Sequence, residues 1–156
     1  MIKNNKTPFL LDLVQHWLNI QRIDRVLNQD LKPSISGIGA SFRKLVAYQD
    51  SRDKHVFRND MLAFSVAEQK QIIGAIIKGR KTEILALPFF KTLRGTSITA
   101  ELRFKPFRIL LYQISENDYL MLSVFKKKTD ETPKNEIDKA EKRLFDYLSR
   151  DAPQNG

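Results

Sequence analysis

The sequence lacks several features that would point to particular classes of protein. It has no cysteine, which excludes disulfide bonds and thiolate catalysis. Its two histidines, His16 and His55, lie far apart and neither has a cysteine or a second histidine nearby, so we predict no metal site, and we expect no cofactor. No apolar run approaches the length of a membrane span, and the first eight residues do not resemble a signal peptide. We therefore expect a soluble cytoplasmic protein with no membrane partner.

Acidic residues are fewer than basic ones. The chain of 156 residues has 27 Lys and Arg against 18 Asp and Glu, a formal net charge of +9. Such an excess predicts a polyanionic partner, namely nucleic acid or an acidic protein. The alternative is a basic surface that is merely solvated. The length is sufficient for one domain with a hydrophobic core.

Turn-forming residues divide the chain into a short N-terminal part and a larger main part. Apolar residues at near-helical spacing predict a helix from residue 9 to about residue 30. The segment PSISGIG at 33–39 predicts a flexible joint. We therefore predict an N-terminal helical extension over 1–40, a main domain over 41–150 and a disordered tail over 151–156.

The main domain is predicted to begin with a strand over 42–49. A long helical stretch over 55–81 follows, with a break near Ser65 and with Gly79 as its C-terminal cap. Residues 85–96 are predicted to form a loop. The last helix is predicted to start at Thr132 and Pro133, which suit an N-cap and a first helical position.

Three consecutive antiparallel strands are predicted between these helices, over 101–105, 107–114 and 119–125. A two-residue connection at 105–106 pairs Phe104 with Phe107 and sets Arg103 opposite Arg108. Pairing residue 114 with residue 119 then sets Phe125 opposite Arg108. The order of elements predicts an α+β fold in which helices pack on one face of an antiparallel sheet.

Side chains on neighbouring residues of a strand point to opposite faces of the sheet. One predicted face is wholly apolar and forms the core: Leu102, Phe104, Phe107, Ile109, Leu111, Leu120, Leu122 and Val124. The other is expected to be open and basic, and it carries Glu101, Arg103, Arg108, Tyr112, Ser123 and Phe125.

The two facing arginines repel each other, which a fold tolerates when an anion or a carboxylate lies between them. The sequence leaves two readings open: a basic face that is solvated or paired with Glu101, and a phosphate-binding site. An aromatic side chain flanked by Arg and Lys, as at Phe125, suits base stacking combined with phosphate contact.

The segment 101–143 resembles the phage-derived Gp49-like branch of the RelE/HigB/ParE toxin superfamily. The matching pieces are ELR at 101–103, FRIL at 107–110, FKKKT at 125–129 and TP at 132–133, followed by Glu136, Ile137, Ala140 and Arg143. Together with the helical pattern upstream, the resemblance extends over about residues 41–149. It implies a RelE-like microbial RNase fold.

The resemblance further implies the toxin of a bacterial type II toxin–antitoxin pair. Such toxins are metal-independent endoribonucleases that cut mRNA on the ribosome, and a cognate helix-turn-helix antitoxin neutralises them in a heteromeric complex. The implied catalytic residues, which would clamp the scissile phosphate and transfer protons, are Arg103, Arg108, Lys127 and Lys128. The implied RNA-binding residues are Phe125, Lys126, Lys105 and Thr129.

Two other functions stay open at this point. Many relatives have a histidine two residues before the phenylalanine of this motif, where the present chain has Ser123. The missing imidazole favours a non-nuclease toxin on the same fold, like the ParE relatives that inhibit DNA gyrase. The third reading is a nucleic-acid-binding module without catalysis or toxicity.

Overall fold

The structure is a computed structural model, and it describes residues 6–28, 41–128 and 131–151. Its elements in chain order are α1 (Lys6–Leu27), β1 (Lys44–Ala47), α2 (Val56–Leu62), α3 (Val66–Lys81), β2 (Phe90–Thr92), β3 (Ala100–Phe104), β4 (Phe107–Ser115), β5 (Asp118–Lys126) and α4 (Lys134–Asp151). The predicted α+β class is confirmed, and the fold is consistent with a RelE-like one. The predicted joint at 33–39 and residues 152–156 of the predicted tail lie outside the described residues.

The strands form one five-stranded sheet in the order β1-β5-β4-β3-β2. The three central predicted strands are confirmed, and they pair antiparallel. The strand β1 joins the sheet parallel to β5, so the sheet is mixed at this edge. The short edge strand β2 lies within the segment that was predicted to be a loop, and it pairs with β3. Three residues are too few to show a period-2 pattern in sequence.

The predicted pairing of residues around the two arginines is confirmed. Arg103 lies opposite Arg108, and Phe125 lies on the other side of Arg108. The predicted pairing of Ile114 with Tyr119 is wrong, because Ile114 is an extra residue and Gln113 takes its place. Sequence periodicity does not reveal such bulges, since they depend on how the two strands bend.

A second register shift changes which side chains share a face. Leu110 pairs with Ser123, but Leu111 pairs with Met121, so Leu122 is passed over. A one-residue slip moves the following side chains to the opposite face. As a result Leu120, predicted on the core face, pairs with Tyr112 and lies on the face of the arginines.

Helices cover both faces of the central strands. On one face, α3 approaches so closely that a Cβ atom on Gly79 would lie 2.8 Å from Leu45 Cδ1. On the other face, Tyr48 donates a hydrogen bond of 2.6 Å to Asp146 of α4. The face of the arginines, expected to be open, is therefore largely covered: Arg108 is 4% exposed and Ser123 is fully buried. Sequence alone does not place α4 on this face.

The predicted break in the helical stretch is confirmed at Ser65. The Ser65 side chain accepts from Glu68 N–H, and the Glu68 side chain accepts from Ser65 N–H, which forms a capping box at the start of α3. The prediction that Gly79 ends this helix is wrong, because α3 continues to Lys81. Gly79 is instead a position of close approach between α3 and the sheet.

The predicted N-terminal helix is α1, and its C-terminal end packs against the rest of the domain. Arg80 of α3 is almost fully buried, and its guanidinium donates to the backbone oxygens of Val26, Leu27 and Leu45. A cation at a helix C-terminus also interacts favourably with the helix dipole. The N-terminal half of α1 exposes a set of large apolar side chains: Leu10, Leu11, Leu13, Val14, Trp17 and Leu18. Among the described residues, no helix is both long enough and apolar enough to cross a bilayer.

Candidate functional site

The register of β3 and β4 brings three charged side chains together. Arg103 and Arg108 face each other across the two strands, and Glu101 lies two residues before Arg103 on the same face. The Nε atoms of Arg103 and Arg108 lie 3.6 and 3.7 Å from Glu101 Oε1. Two cations thus share one carboxylate, which leaves one positive charge of the cluster unneutralised. We call these three residues the arginine cluster.

A residue from outside the sheet holds the carboxylate in place. The Thr132 hydroxyl donates a hydrogen bond of 2.8 Å to Glu101 Oε2, so Oε1 remains directed at the arginines. In the sequence, Thr132 is a predicted N-cap and part of the TP pair that matches the family. No local signal could have linked it to Glu101, because the contact depends on where α4 packs against the sheet.

The two arginines of the cluster differ in their environment. The Arg103 side chain is 28% exposed, whereas that of Arg108 is 5% exposed. Arg108 Nη1 donates to the Phe107 carbonyl oxygen at 3.0 Å, and its buried Nε has no hydrogen-bond partner among the described residues. Burial lowers the pKa of Arg108, while the Glu101 carboxylate opposes that shift. Arg103 can therefore contact a ligand directly, and Arg108 lies behind it as a buried charge.

The predicted lysines lie around this end of the sheet but not in the cluster itself. Lys126 forms a 2.9 Å ion pair with Glu68 at the start of α3, so its ammonium is directed away from the arginines. The Lys127 backbone N–H donates to the Pro106 carbonyl oxygen, which places Lys127 beside the β3–β4 turn. Lys105 in that turn and Lys128 are exposed. Thr129 lies outside the described residues.

Phe125 is not placed as the prediction requires. It lies opposite Arg108 as expected, but it is 6% exposed and belongs to the hydrophobic core. A buried ring has no free face for a base, so the predicted stacking is not available in this structure. Ser123, the residue at the position where relatives have histidine, is also buried, and its hydroxyl has no hydrogen-bond partner among the described residues.

A further ion pair joins the helices behind the site. Arg143 of α4 donates to both carboxylate oxygens of Asp60 in α2, at 2.6 and 3.3 Å, and to the Leu122 carbonyl oxygen at 2.8 Å. The Leu122 contact falls at the β-bulge of β5. Arg143 matched the family pattern in sequence, and in the structure it fixes α4 against the sheet.

The arrangement suits binding of a phosphate group. A half-buried guanidinium with a second, desolvated guanidinium behind it attracts an anion more strongly than a solvated pair does, because the local dielectric constant is lower. Guanidinium groups also match the oxygen geometry of phosphate. Glu101 orients the pair and neutralises only one of its two positive charges.

One family model matches the part of the chain that contains the arginine cluster. A family model described as "Phage derived protein Gp49-like (DUF891)" matches residues 59–145, which is more than half of the chain. The match begins in α2 and ends in α4, so it includes the arginine cluster and excludes α1. No curated protein matches the chain.

Proposed function

The chain belongs to the family of phage-derived Gp49-like proteins within the RelE/HigB toxin superfamily, and from this premise we propose that it is an endoribonuclease toxin of a bacterial type II toxin–antitoxin pair. Its substrate is mRNA bound to the ribosome, and cleavage inhibits translation and arrests growth. A cognate helix-turn-helix antitoxin in the cytoplasm neutralises it by forming a heteromer. The net charge of +9 is consistent with both an RNA substrate and an acidic protein partner.

The observation that carries the proposal is the unneutralised charge of the arginine cluster. In RNA cleavage the ribose 2′-oxygen attacks the adjacent phosphorus, the bond to the 5′-oxygen breaks, and negative charge builds up on the phosphate oxygens. Preorganised positive groups that meet this charge lower the barrier, and one such donor contributes about 3–4 kcal/mol. Arg103 contacts the phosphate, and Arg108 stabilises the same charge from behind.

Proton transfer is the second requirement. The 2′-hydroxyl loses a proton and the departing 5′-oxygen gains one. Lys127 and Lys128 follow directly after β5. In the proposal one of them, as an ammonium, donates to the 5′-oxygen, and the other, as a neutral amine, accepts the proton of the 2′-hydroxyl. Lys105 in the β3–β4 turn holds a flanking phosphate, as does Lys126 once the RNA competes with Glu68 for its ammonium. Thr129 continues the same basic segment.

The experiment that tests the proposal is induced expression in bacteria, followed by primer extension on abundant mRNAs. We expect the wild type to arrest growth and to produce new 5′ ends. Arg103→Ala should abolish both, since the exposed guanidinium contacts the phosphate. The matched control is Arg52→Ala, which removes an exposed arginine in the turn after β1, at the other edge of the sheet. New ends that persist in Arg103→Ala would contradict the proposed role of the cluster.

One observation favours a second candidate function. Ser123 occupies the position of the histidine found in many relatives, and it is buried and has no acid–base chemistry to offer. This favours a non-nuclease toxin of the ParE type that inhibits DNA gyrase. Growth arrest without new RNA ends, together with loss of DNA supercoiling, would establish that function in place of the nuclease.

A further inference from the structure

A cavity of about 280 Å³ opens beside Arg103, next to the end of the edge strand β2. The edge strand β2 pairs with β3 only as far as Leu102, so Arg103 and Phe104 extend beyond it. The far wall of the cavity is α3, which contributes Gly74 and Lys78. Phe89, from the segment before β2, closes one end.

The walls of the cavity combine positive charge with aromatic surface. Lys78 supplies a cation, and its Nζ lies 4.3 Å from the centroid of the Phe89 ring. Phe104 is half-buried and stacks on Phe107, with ring centroids 5.7 Å apart. A ligand that satisfies both features has a flat apolar ring and an anionic group. A nucleotide has this combination, and bases stack on aromatic side chains irrespective of sequence.

Gly74 keeps the cavity open on the helix side. It lies within α3, where glycine is less favourable than alanine. A Cβ atom added to Gly74 would meet no atom within 4 Å, so close packing does not explain the glycine. A larger residue at this position would project into the space that the cavity provides.

We propose that this cavity holds one nucleotide of a single-stranded RNA, next to the phosphate bound by the arginine cluster. The inference rests on the proposed function, and it assigns the site of a neighbouring nucleotide. The base lies against Phe104, and the phosphate of the nucleotide lies beside Lys78. Arg103 borders the cavity and also belongs to the arginine cluster, so the two sites are neighbours along β3.

The test measures binding separately from cleavage. The probe is a fluorescent 2′-O-methyl hexanucleotide of mixed sequence, which has no free 2′-hydroxyl and is not cut, and binding is followed by fluorescence anisotropy at low salt. Gly74→Trp fills the cavity, and Ala67→Trp, which adds the same side chain at an exposed position of α3 outside the cavity, is the matched control. We expect Ala67→Trp to bind like the wild type and Gly74→Trp to bind about ten-fold more weakly, as the loss of one stacked base predicts.

A second variant covers the case in which Gly74→Trp unfolds, which thermal denaturation reveals. Lys78→Gln removes one phosphate contact, so we expect the slope of log K against log salt to fall by about 0.7. Equal binding by Gly74→Trp and Ala67→Trp, an unchanged slope, or no binding by the wild type would overturn the inference. A free nucleoside monophosphate that binds as tightly as the hexanucleotide would also overturn it, in favour of a small-molecule site.

The two proposals can fail independently. If the wild type produces no new RNA ends in cells but the variants differ in anisotropy as described, the nuclease is wrong and the cavity stands. If the wild type cleaves RNA while Gly74→Trp binds and cleaves like Ala67→Trp, the cavity is wrong and the nuclease stands.

Discussion

Replacing Glu101 with glutamine tests the arginine cluster without requiring RNA. The substitution keeps the shape of the side chain and an oxygen that accepts from Thr132, but it removes the charge that both arginines approach. Removing one partner of a buried ion pair costs about 3–5 kcal/mol, because the other charge is left uncompensated. Since Arg103 is 28% exposed and partly solvated, we expect the lower limit, about 3 kcal/mol.

The same change strengthens the site as a receptor for anions. In Glu101→Gln, neither guanidinium charge is neutralised by a carboxylate. A sulfate ion at the position of the scissile phosphate should therefore bind more tightly to the variant than to the wild type. An anion at one hundred times its Kd stabilises the folded state by about 2.7 kcal/mol. Glu101→Gln should therefore melt roughly 6–12 °C below the wild type in chloride, since about 3 kcal/mol corresponds to that shift at this chain length. Sulfate should restore most of the difference.

The assay is thermal unfolding of the wild type and Glu101→Gln in chloride and in sulfate at equal ionic strength. Sulfate also stabilises proteins in general by exclusion from their surface. Glu116→Gln, in the exposed β4–β5 turn, serves as the control for that effect. If sulfate raises the melting temperature of Glu101→Gln no more than that of Glu116→Gln, loss of the Glu101 charge does not strengthen oxyanion binding at the cluster. An unchanged melting temperature of Glu101→Gln in chloride would show that the carboxylate does not neutralise buried charge.

Two further predictions concern packing and pH. Gly79→Ala should lower the free energy of unfolding by about 1–2 kcal/mol in chemical denaturation. The added Cβ would lie 2.8 Å from Leu45 Cδ1, and the cost of this overpacking exceeds the gain in helix propensity from Gly to Ala. A variant more stable than the wild type would contradict the close approach of α3 to the sheet. Hydrogen bonds from Thr96 and Ser97 lower the pKa of Glu141 below its usual 4.5. The ionised Glu141 carboxylate therefore stabilises the folded protein at neutral pH, and this contribution is lost as the pH falls below 4.5 and the carboxylate is protonated. Glu141→Gln should therefore show a smaller loss of stability on acidification than the wild type, and identical pH profiles would refute the assignment.

Much of the arginine cluster could be predicted from sequence because it depends on local geometry. A two-residue connection between β3 and β4 fixes which residues face each other, and that alone sets Arg103 opposite Arg108. Glu101 follows from the period of two along a strand. The charge of the cluster therefore follows from residues that are close together in the sequence.

The environment of the cluster could not be predicted in the same way. Whether Phe125 is free to stack or buried depends on the covering of its face, and the position of α4 is set by distant contacts such as Arg143 with Asp60. The bulges at Ile114 and Leu122 likewise result from strand bending, and they change the face of Leu120. The ion pair of Lys126 with Glu68 is likewise invisible in the sequence, because it joins β5 to the distant start of α3.

The sequence by itself determined the α+β class, the three central strands, the break at Ser65 and the facing arginines, since each follows from spacing along a short stretch of chain. Only the tertiary structure decided how exposed each arginine is, which residue holds Glu101, and that a cavity opens between Gly74 and Arg103. The physical reason is that burial and charge neutralisation depend on the packing of elements far apart in the chain. Local periodicity carries no information about that packing.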